Sequence, residues 1–417
     1  MTDLITLAEI VESGLCIGCG LCQSIAGEDA VEIVMTPEGR LRPLEKAPVD
    51  PASLALINKV CPGLVVTGPD PDELAEGHAF DEMWGPLRQT VLGHAGDPVI
   101  RFQAAAGGGL TGLASFLLES GRVERVLHVT ADPDQPMRSR ATISTTPEQV
   151  LRASGSRYGP TAPLVEFLSL LEDGKPFAFV GKPCDVDAIR ALEMEDPRVA
   201  SLCRYKLSLV CGGASELGKS QDLLAGLGVE EPEVTLFRYR GYGNPGKTRI
   251  EVRDGRAWEF SYQEMWEDEG TWRLQFRCKI CPDPIGELTD IAVLDCWPGG
   301  GPTGEDAGFN AFITRTAAGD ELFQAAVAAG AIVVDGPVSA RMLDDYQPHQ
   351  VRKKRALAWR LQGMREAGVL TPAFERLRLD TFAYGADDPR AAGNLDGIKQ
   401  RIASGRTREN PVRREGD

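Results

Sequence analysis

Apolar and polar positions change their period along this chain. Over residues 1 to about 75 no regular period holds and prolines are frequent, which suits a small loop-rich module that exits through the acidic turn at 69–74. From about residue 98 helix and strand patterns alternate. The spacing predicts an apolar helix over Leu110–Ser120, stopped by Gly121, and then a strand over 122–130. A helix over Ala162–Asp173, stopped by Gly174, leads into the apolar strand 176–181. A strand at 206–213 and a helix at about 216–226 continue the order, and 248–262 reads as a hairpin turning at Asp254-Gly255. Gly319–Gly330 and the charged amphipathic stretch Val351–Ala367 close the series, with no internal repeat. Alternation of this kind implies a sheet with helices packed on it.

The unpatterned first segment carries C-I-G-C-G-L-C at 16–22 and C-P at 61–62. Three thiolates two residues apart on a glycine-broken turn, with a fourth from elsewhere, can converge on one [4Fe-4S] cubane through Cys16, Cys19, Cys22 and Cys61. Zinc also takes four thiolates, although it usually draws on two separate C-x2-C pairs. Plain buried thiols are the third alternative.

A second, dispersed set lies in the α/β part: Cys184 in G-K-P-C-D at 181–185, Cys211 in C-G-G, and Cys278 and Cys281 in R-C-K-I-C-P-D. Cys184 and Cys211 each end a predicted strand, so both can reach the same sheet edge. Together the four offer a second cubane, a zinc site or buried cysteines. Cys203 and Cys296 are left over and read as core residues.

Gly107, Gly108 and Gly109 precede a helix with Thr111 close behind, a turn whose amides can approach a phosphate. A glycine turn without a ligand is the commoner case. Ser156, Arg157 and Tyr158 in S-G-S-R-Y-G-P offer an arginine for a pyrophosphate and a ring for stacking, or form an ordinary loop.

Length, charge and cysteine usage narrow the class. The chain has 417 residues, enough for two or three domains. Its formal charge of -16 argues against nucleic acid as a partner, because phosphate binding needs a concentrated cationic face. Arg238, Arg240, Lys247 and Arg249 form a local basic group suited to an anionic substrate tail or an acidic ferredoxin, or are simple surface charge. The basic tail Arg401 to Arg414 reads as a frayed terminus. The start of the chain lacks a basic leader with an apolar core, and no stretch has the ~18 apolar residues of a membrane span. A cytoplasmic protein is expected, its ten cysteines serving metal or redox chemistry rather than disulfides. Four scattered histidines support neither a Ser-His-Asp triad nor a catalytic zinc.

These segments, together with V-C-G-G-A-S, F-R-Y-R-G-Y-G-N-P-G and D-C-W-P-G-G, resemble in number and order the coenzyme F420 hydrogenase/dehydrogenase beta-subunit family, which includes chlorophyll-pathway reductases. The resemblance covers nearly the whole chain. It implies an α+β / α/β fold: an N-terminal ferredoxin-like iron–sulfur module over 1–75, a flavin-binding domain over 76–178, a domain with the second cluster over 179–345, and a C-terminal helix and basic tail over 346–417. It implies two [4Fe-4S] clusters on the two cysteine sets, and FAD on the glycine turn, the Ser156-Arg157-Tyr158 segment and Lys182. Cys296 departs from the pattern, since a small residue is expected after Asp295.

A flavin exchanges hydride pairs and single electrons, whereas cubanes pass single electrons only. The leading expectation is therefore a reductase that moves electrons between a ferredoxin-type or other one-electron carrier, FAD and its own small-molecule substrate, with Asp283, Glu287 and Asp295 as candidate proton donors. A free-standing enzyme of this kind could form a homo-oligomer. The alternative is an electron-transfer subunit of a hydrogenase or dehydrogenase using a deazaflavin coenzyme, and a third class is a zinc-stabilised binding protein.

Overall fold

A computed structural model describes residues 4–69 and 79–416. The acidic turn beyond Pro69 and the expected boundary at residue 75 lie outside the described residues. The centre is an eight-stranded mixed sheet of β1 (Gln89–Ala95), β2 (Arg125–Ala131), β3 (Ser139–Ser144), β4 (Phe177–Gly181), β5 (Cys203–Leu209), β6 (Ile291–Asp295), β7 (Asn310–Thr314) and β8 (Ile332–Pro337). Their spatial order is β8-β1-β7-β6-β5-β4-β2-β3. β2, β4, β5 and β6 run parallel to one another in the middle, and every outer pairing is antiparallel.

The apolar runs of β6 and β7 reflect burial on both faces. On one face, Leu113, Phe116 and Leu117 of the helix Gly109–Glu119 and Leu322 and Phe323 of Ala317–Ala328 pack on Val126, Leu207, Ile291 and Phe312. On the other, Val186, Ile189 and Leu192 of the helix Pro183–Glu195 share a core with Phe177, Phe179, Cys19, Leu21 and Val60. The N-terminal cysteine turn is thereby part of a sheet-covering layer.

Most patterned elements appear within one to three residues of their expected bounds. The helix expected over Ala162–Asp173 is shorter, Phe167–Glu172. Pro163 disfavours helix at its predecessor, and Leu164 N–H donates instead to Cys19 O at 2.9 Å, tying the segment to the cysteine turn. β5 ends at Leu209, yet Val210 and Cys211 N–H still donate to Val293 O and Pro284 O at 2.9 and 2.8 Å. The N-terminal segment is less irregular than its composition implies: it holds the helices Leu7–Glu12, Leu21–Ala26 and Pro51–Val60 and the hairpin Val31–Met35/Leu41–Glu45.

The basic tail is not frayed. After the helix Pro389–Ala403 it runs across the cysteine module, with Glu409 N–H donating to Glu12 O, Glu415 N–H to Met35 O, and Arg414 paired with Glu32. Its acids matter more than its basic residues: Glu409 pairs with Arg42 at 2.7 Å and Arg40 at 3.1 Å. Composition hid this because acceptors on the facing module cannot be read from the tail. Among the described residues no helix is long and apolar enough to cross a membrane.

Candidate functional site

The carboxyl ends of β4, β5 and β6 open onto one cavity of about 350 Å3, where parallel strands commonly bind ligands. Gly108, Gly109, Thr111, Ser156, Arg157, Tyr158, Lys182, Cys211 and Asp295 all line it. Gly107 stands just behind the wall, and Asp283 and Glu287 are not among the lining residues.

The glycine turn is shaped by close packing. Gly108 has φ +71° and caps the helix Gly109–Glu119. Gly107 and Gly109 N–H both donate to Asn310 Oδ1, at 3.1 and 2.9 Å, so those amides are already used. A Cβ on Gly109 would lie 2.6 Å from Phe312 Cζ. Gly109→Ala should therefore cost about 1–3 kcal/mol by overpacking, read as a lower urea midpoint.

Arg157 is committed to the protein. Its guanidinium donates to Phe237 O, Pro136 O, Met137 O and Arg138 O and to Ser139 Oγ, at 2.7–3.0 Å. Tyr158 stacks at 4.2 Å on Trp266, and its hydroxyl accepts from Arg240 at 3.2 Å. Arg240 is buried, pairs with Asp295 at 2.9 Å and lies 4.7 Å over Trp297. Tyr262 meets Trp297 edge-on at 4.8 Å, giving this end of the cavity an aromatic wall. The sequence reading gave no role to Trp266, Tyr262 or Trp297; the signal for the first two was aromatic density around 258–272 in a chain with 6% aromatics, and Trp297 stood in the D-C-W-P-G-G motif.

The expected basic group does not assemble as one patch. Lys247 and Arg249 pair with Glu259 and Glu251 on the hairpin surface, and Arg238 lies over Tyr242.

Lys182 Nζ donates to Thr161 Oγ1 at 2.6 Å and to Asp185 Oδ2 at 2.8 Å. Burial pulls its ammonium down, but Asp185 and the thiols of Cys184 and Cys211 outweigh that and hold it above the usual lysine range. His128, also on the wall, bonds Ser144 Oγ at 2.7 Å and is pushed by burial down to about 4. Its folded value lies below the ordinary 6.5, so the stability this neutral ring maintains is present above pH 6.5 and lost as pH falls toward 4. Protonation linked to His128 should cost about 1.6 kcal/mol between pH 6.5 and pH 5, a slope that His128→Gln flattens in urea titrations.

Asp283 and Glu287 lie in the interior. Asp283 accepts from Ile285 and Glu287 N–H at 3.3 and 2.7 Å. Glu287 is held between Lys354, at 2.5 Å, and Arg378. Burial would raise its carboxyl, yet those two cations keep it below the usual range.

Cys16, Cys19, Cys22 and Cys61 all line one small cavity of about 30 Å3. Burial pushes their thiols up, Cys61 to about 11, and for Cys19, Cys22 and Cys61 the other thiols of the set add to the rise. Gly18 N–H points at Cys16 Sγ at 3.4 Å.

Cys184, Cys211, Cys278 and Cys281 come together from the helix Pro183–Glu195, the end of β5 and the segment after Gln275. Burial again raises Cys184, Cys211 and Cys281, the last to about 12, and each feels other thiols of this set. Ala214 N–H points at Cys278 Sγ at 3.5 Å. Cys203, the first residue of β5, is fully buried, and Cys296 is half-buried. Among the described residues, no group of three or more His, Cys, Asp or Glu side chains closes on a single metal ion.

Residues 90–169 match the family model "Coenzyme F420 hydrogenase/dehydrogenase, beta subunit N-term", and 174–339 match the companion model for the C terminus of the same beta subunit. Coenzyme F420 hydrogenase subunit beta of Methanococcus voltae is 24% identical over 310 residues, 69% of this chain and 99% of that protein. The chloroplastic 7-hydroxymethyl chlorophyll a reductase of Oryza sativa subsp. japonica is 32% identical over 218 residues, 51% of this chain and 44% of that protein. A chain of the F420-reducing [NiFe] hydrogenase complex from Methanosarcina barkeri superposes with a TM-score of 0.49 at 20% identity, covering 66% of this chain and 95% of that one.

Proposed function

The chain belongs to the coenzyme F420 hydrogenase/dehydrogenase beta-subunit family, an electron-transfer oxidoreductase family, and from that premise we propose that it passes electrons through two [4Fe-4S] clusters to a flavin, and thence to a deazaflavin coenzyme, as a subunit of a larger complex. The subunit reading is favoured over a free-standing FAD reductase because the family, and a relative matched over 99% of its length, are described as beta subunits. The observation that carries the electron route is Cys211, which belongs to the second cysteine set and also lines the cavity.

The donor sets fit. Four neighbouring thiols, buried or partly buried, resist joint ionisation in bare protein, and a multi-iron core would supply the positive charge that stabilises them as thiolates. Bound here, the clusters supply single-electron steps and the flavin interconverts these with hydride transfer. The ring fits the aromatic end of the cavity, bounded by Tyr158, Trp266, Tyr262 and Trp297. The pyrophosphate contacts differ from those expected. Arg157 and the amides of Gly107 and Gly109 are already engaged, so the first-turn amides of Leu110 and Thr111 take that role. Lys182 Nζ stands on the cavity wall as a fixed cation beside Asp185, and Asp283 and Glu287, which do not line the cavity, are set aside as the proton source. Asp295 orients Arg240 beneath the ring site.

Anaerobically purified chain should carry about eight irons, release a flavin on denaturation and reduce a deazaflavin coenzyme with dithionite as electron source. A preparation holding zinc without iron or flavin rejects the reading. A stoichiometric partner retained at native abundance supports the subunit role, whereas an active homo-oligomer without one returns the assignment to a free-standing reductase.

A further inference from the structure

We propose that Arg42 and Arg277 form a cationic partition shared by the two cysteine sets, so that each guanidinium sets the reduction potential of both metal centres at once. The inference rests on the iron–sulfur reading above and assigns these residues a positioning role in its electron route.

Both side chains are almost completely buried, each 1% exposed. Arg42 rises from the hairpin strand Leu41–Glu45 and lies against the first set: its Nη1 sits 3.3 Å from where a Cβ on Gly18, inside the C-I-G-C turn, would stand. Its Nη2 donates at 2.8 Å to Gln275 Oε1, and Gln275 caps the short helix Phe276–Lys279 that carries Cys278 of the second set. Arg277 makes the same bridge in the opposite direction. It precedes Cys278, its Nη1 donates at 3.1 Å to Ile280 O beside Cys281, and its Nη2 donates at 2.6 Å to Pro62 O, next to Cys61 of the first set.

Each arginine thus touches the peptide that carries one set and the peptide that carries the other. The partition is unevenly compensated. Arg42 has the Glu409 carboxylate at 2.7 Å, whereas Arg277 is directed at backbone carbonyls and lies 4.9 Å over the Phe374 ring.

Packing alone would be met by neutral side chains of similar shape. Two guanidiniums in a desolvated layer do more, because one-electron reduction of either centre adds a negative charge beside them, and low effective dielectric magnifies the attraction. The added electron comes from the one-electron donor of the proposed function. No bond forms or breaks in the step, and the arginines keep their protons throughout.

The test is an anaerobic, EPR-monitored dithionite titration of the full chain and its R42Q, R277Q and E409Q variants. Iron and sulfide content of the unsubstituted chain is measured first. Chain without iron overturns the reading beneath the proposal and the proposal with it. With two centres present, R42Q and R277Q should each lower both potentials, by roughly tenfold in the reduction equilibrium or about 59 mV for one electron. E409Q, which removes the counter-charge and keeps the shape, should raise both.

A shift confined to one centre, shifts of the same sign in R42Q and E409Q, or unchanged potentials overturns the partition. Should the arginine variants fail to assemble, E409Q decides alone: a rise at both centres supports the proposal, and any other result rejects it.

Discussion

Cys211→Ser should reduce the iron of the purified chain from about eight to about four per molecule and nearly abolish coenzyme reduction, leaving the signal of one cluster intact. Outer-shell changes at metal sites already cost about 10–100-fold, so loss of a ligand that also forms the cavity wall should cost more. Iron analysis, EPR of the reduced protein and steady-state rates with dithionite read the three parts separately. Cys296→Ser is the matched control: that thiol follows β6 and belongs to neither set, and its loss should leave eight irons. An undiminished iron count in Cys211→Ser would remove Cys211 from the second set.

Glu287→Gln should cost about 3–5 kcal/mol of folding free energy in urea titrations at pH 7 while sparing the turnover of protein that remains folded. The carboxylate and Lys354 side chains are both 0% exposed, and the substitution leaves Lys354 buried with its main counter-charge gone. The pH dependence follows from the lowered carboxyl. Its contribution is complete above the ordinary value of 4.5 and disappears as pH falls through the lower folded value, so acid should weaken the native chain more steeply than the variant. A variant that stays stable but loses turnover would instead make Glu287 part of the proton chemistry, as the sequence suggested.

Why Glu287 drew attention shows what sequence can and cannot carry. Its place just past the C-x2-C knuckle is visible, but its partners come from Lys354 and Arg378, far along the chain. Local signals did well where the chemistry is local: the period of Gly109–Glu119, the hairpin at Asp254-Gly255 and the spacing of Cys16, Cys19 and Cys22 can all be read directly. Cys184 and Cys211 were placed at one sheet edge because both follow strands. Long-range polar pairing was illegible. Arg157 has the composition of a phosphate ligand but is spent on five protein acceptors, and the glycine turn that seemed shaped for an anion is held by Asn310. The tail misled for the same reason, since its basic composition concealed the one glutamate that reaches Arg42.

That glutamate also sets an order of events during synthesis. Arg42 and Glu409 are separated by 367 positions, and the strand Val65–Thr67 finds its partner only at Ala373–Glu375. At ordinary elongation rates of about 5–20 residues per second, the cysteine turn leaves the ribosome on the order of tens of seconds before the residues that close it. Cys19 can be covered early, by the core it shares with Leu164, Phe177 and Val186, but throughout that interval the Arg42 charge has no partner from the tail. A chain truncated before Glu409 should therefore keep the cysteine turn but leave the buried Arg42 guanidinium without its carboxylate, and its urea midpoint should fall below that of the full chain.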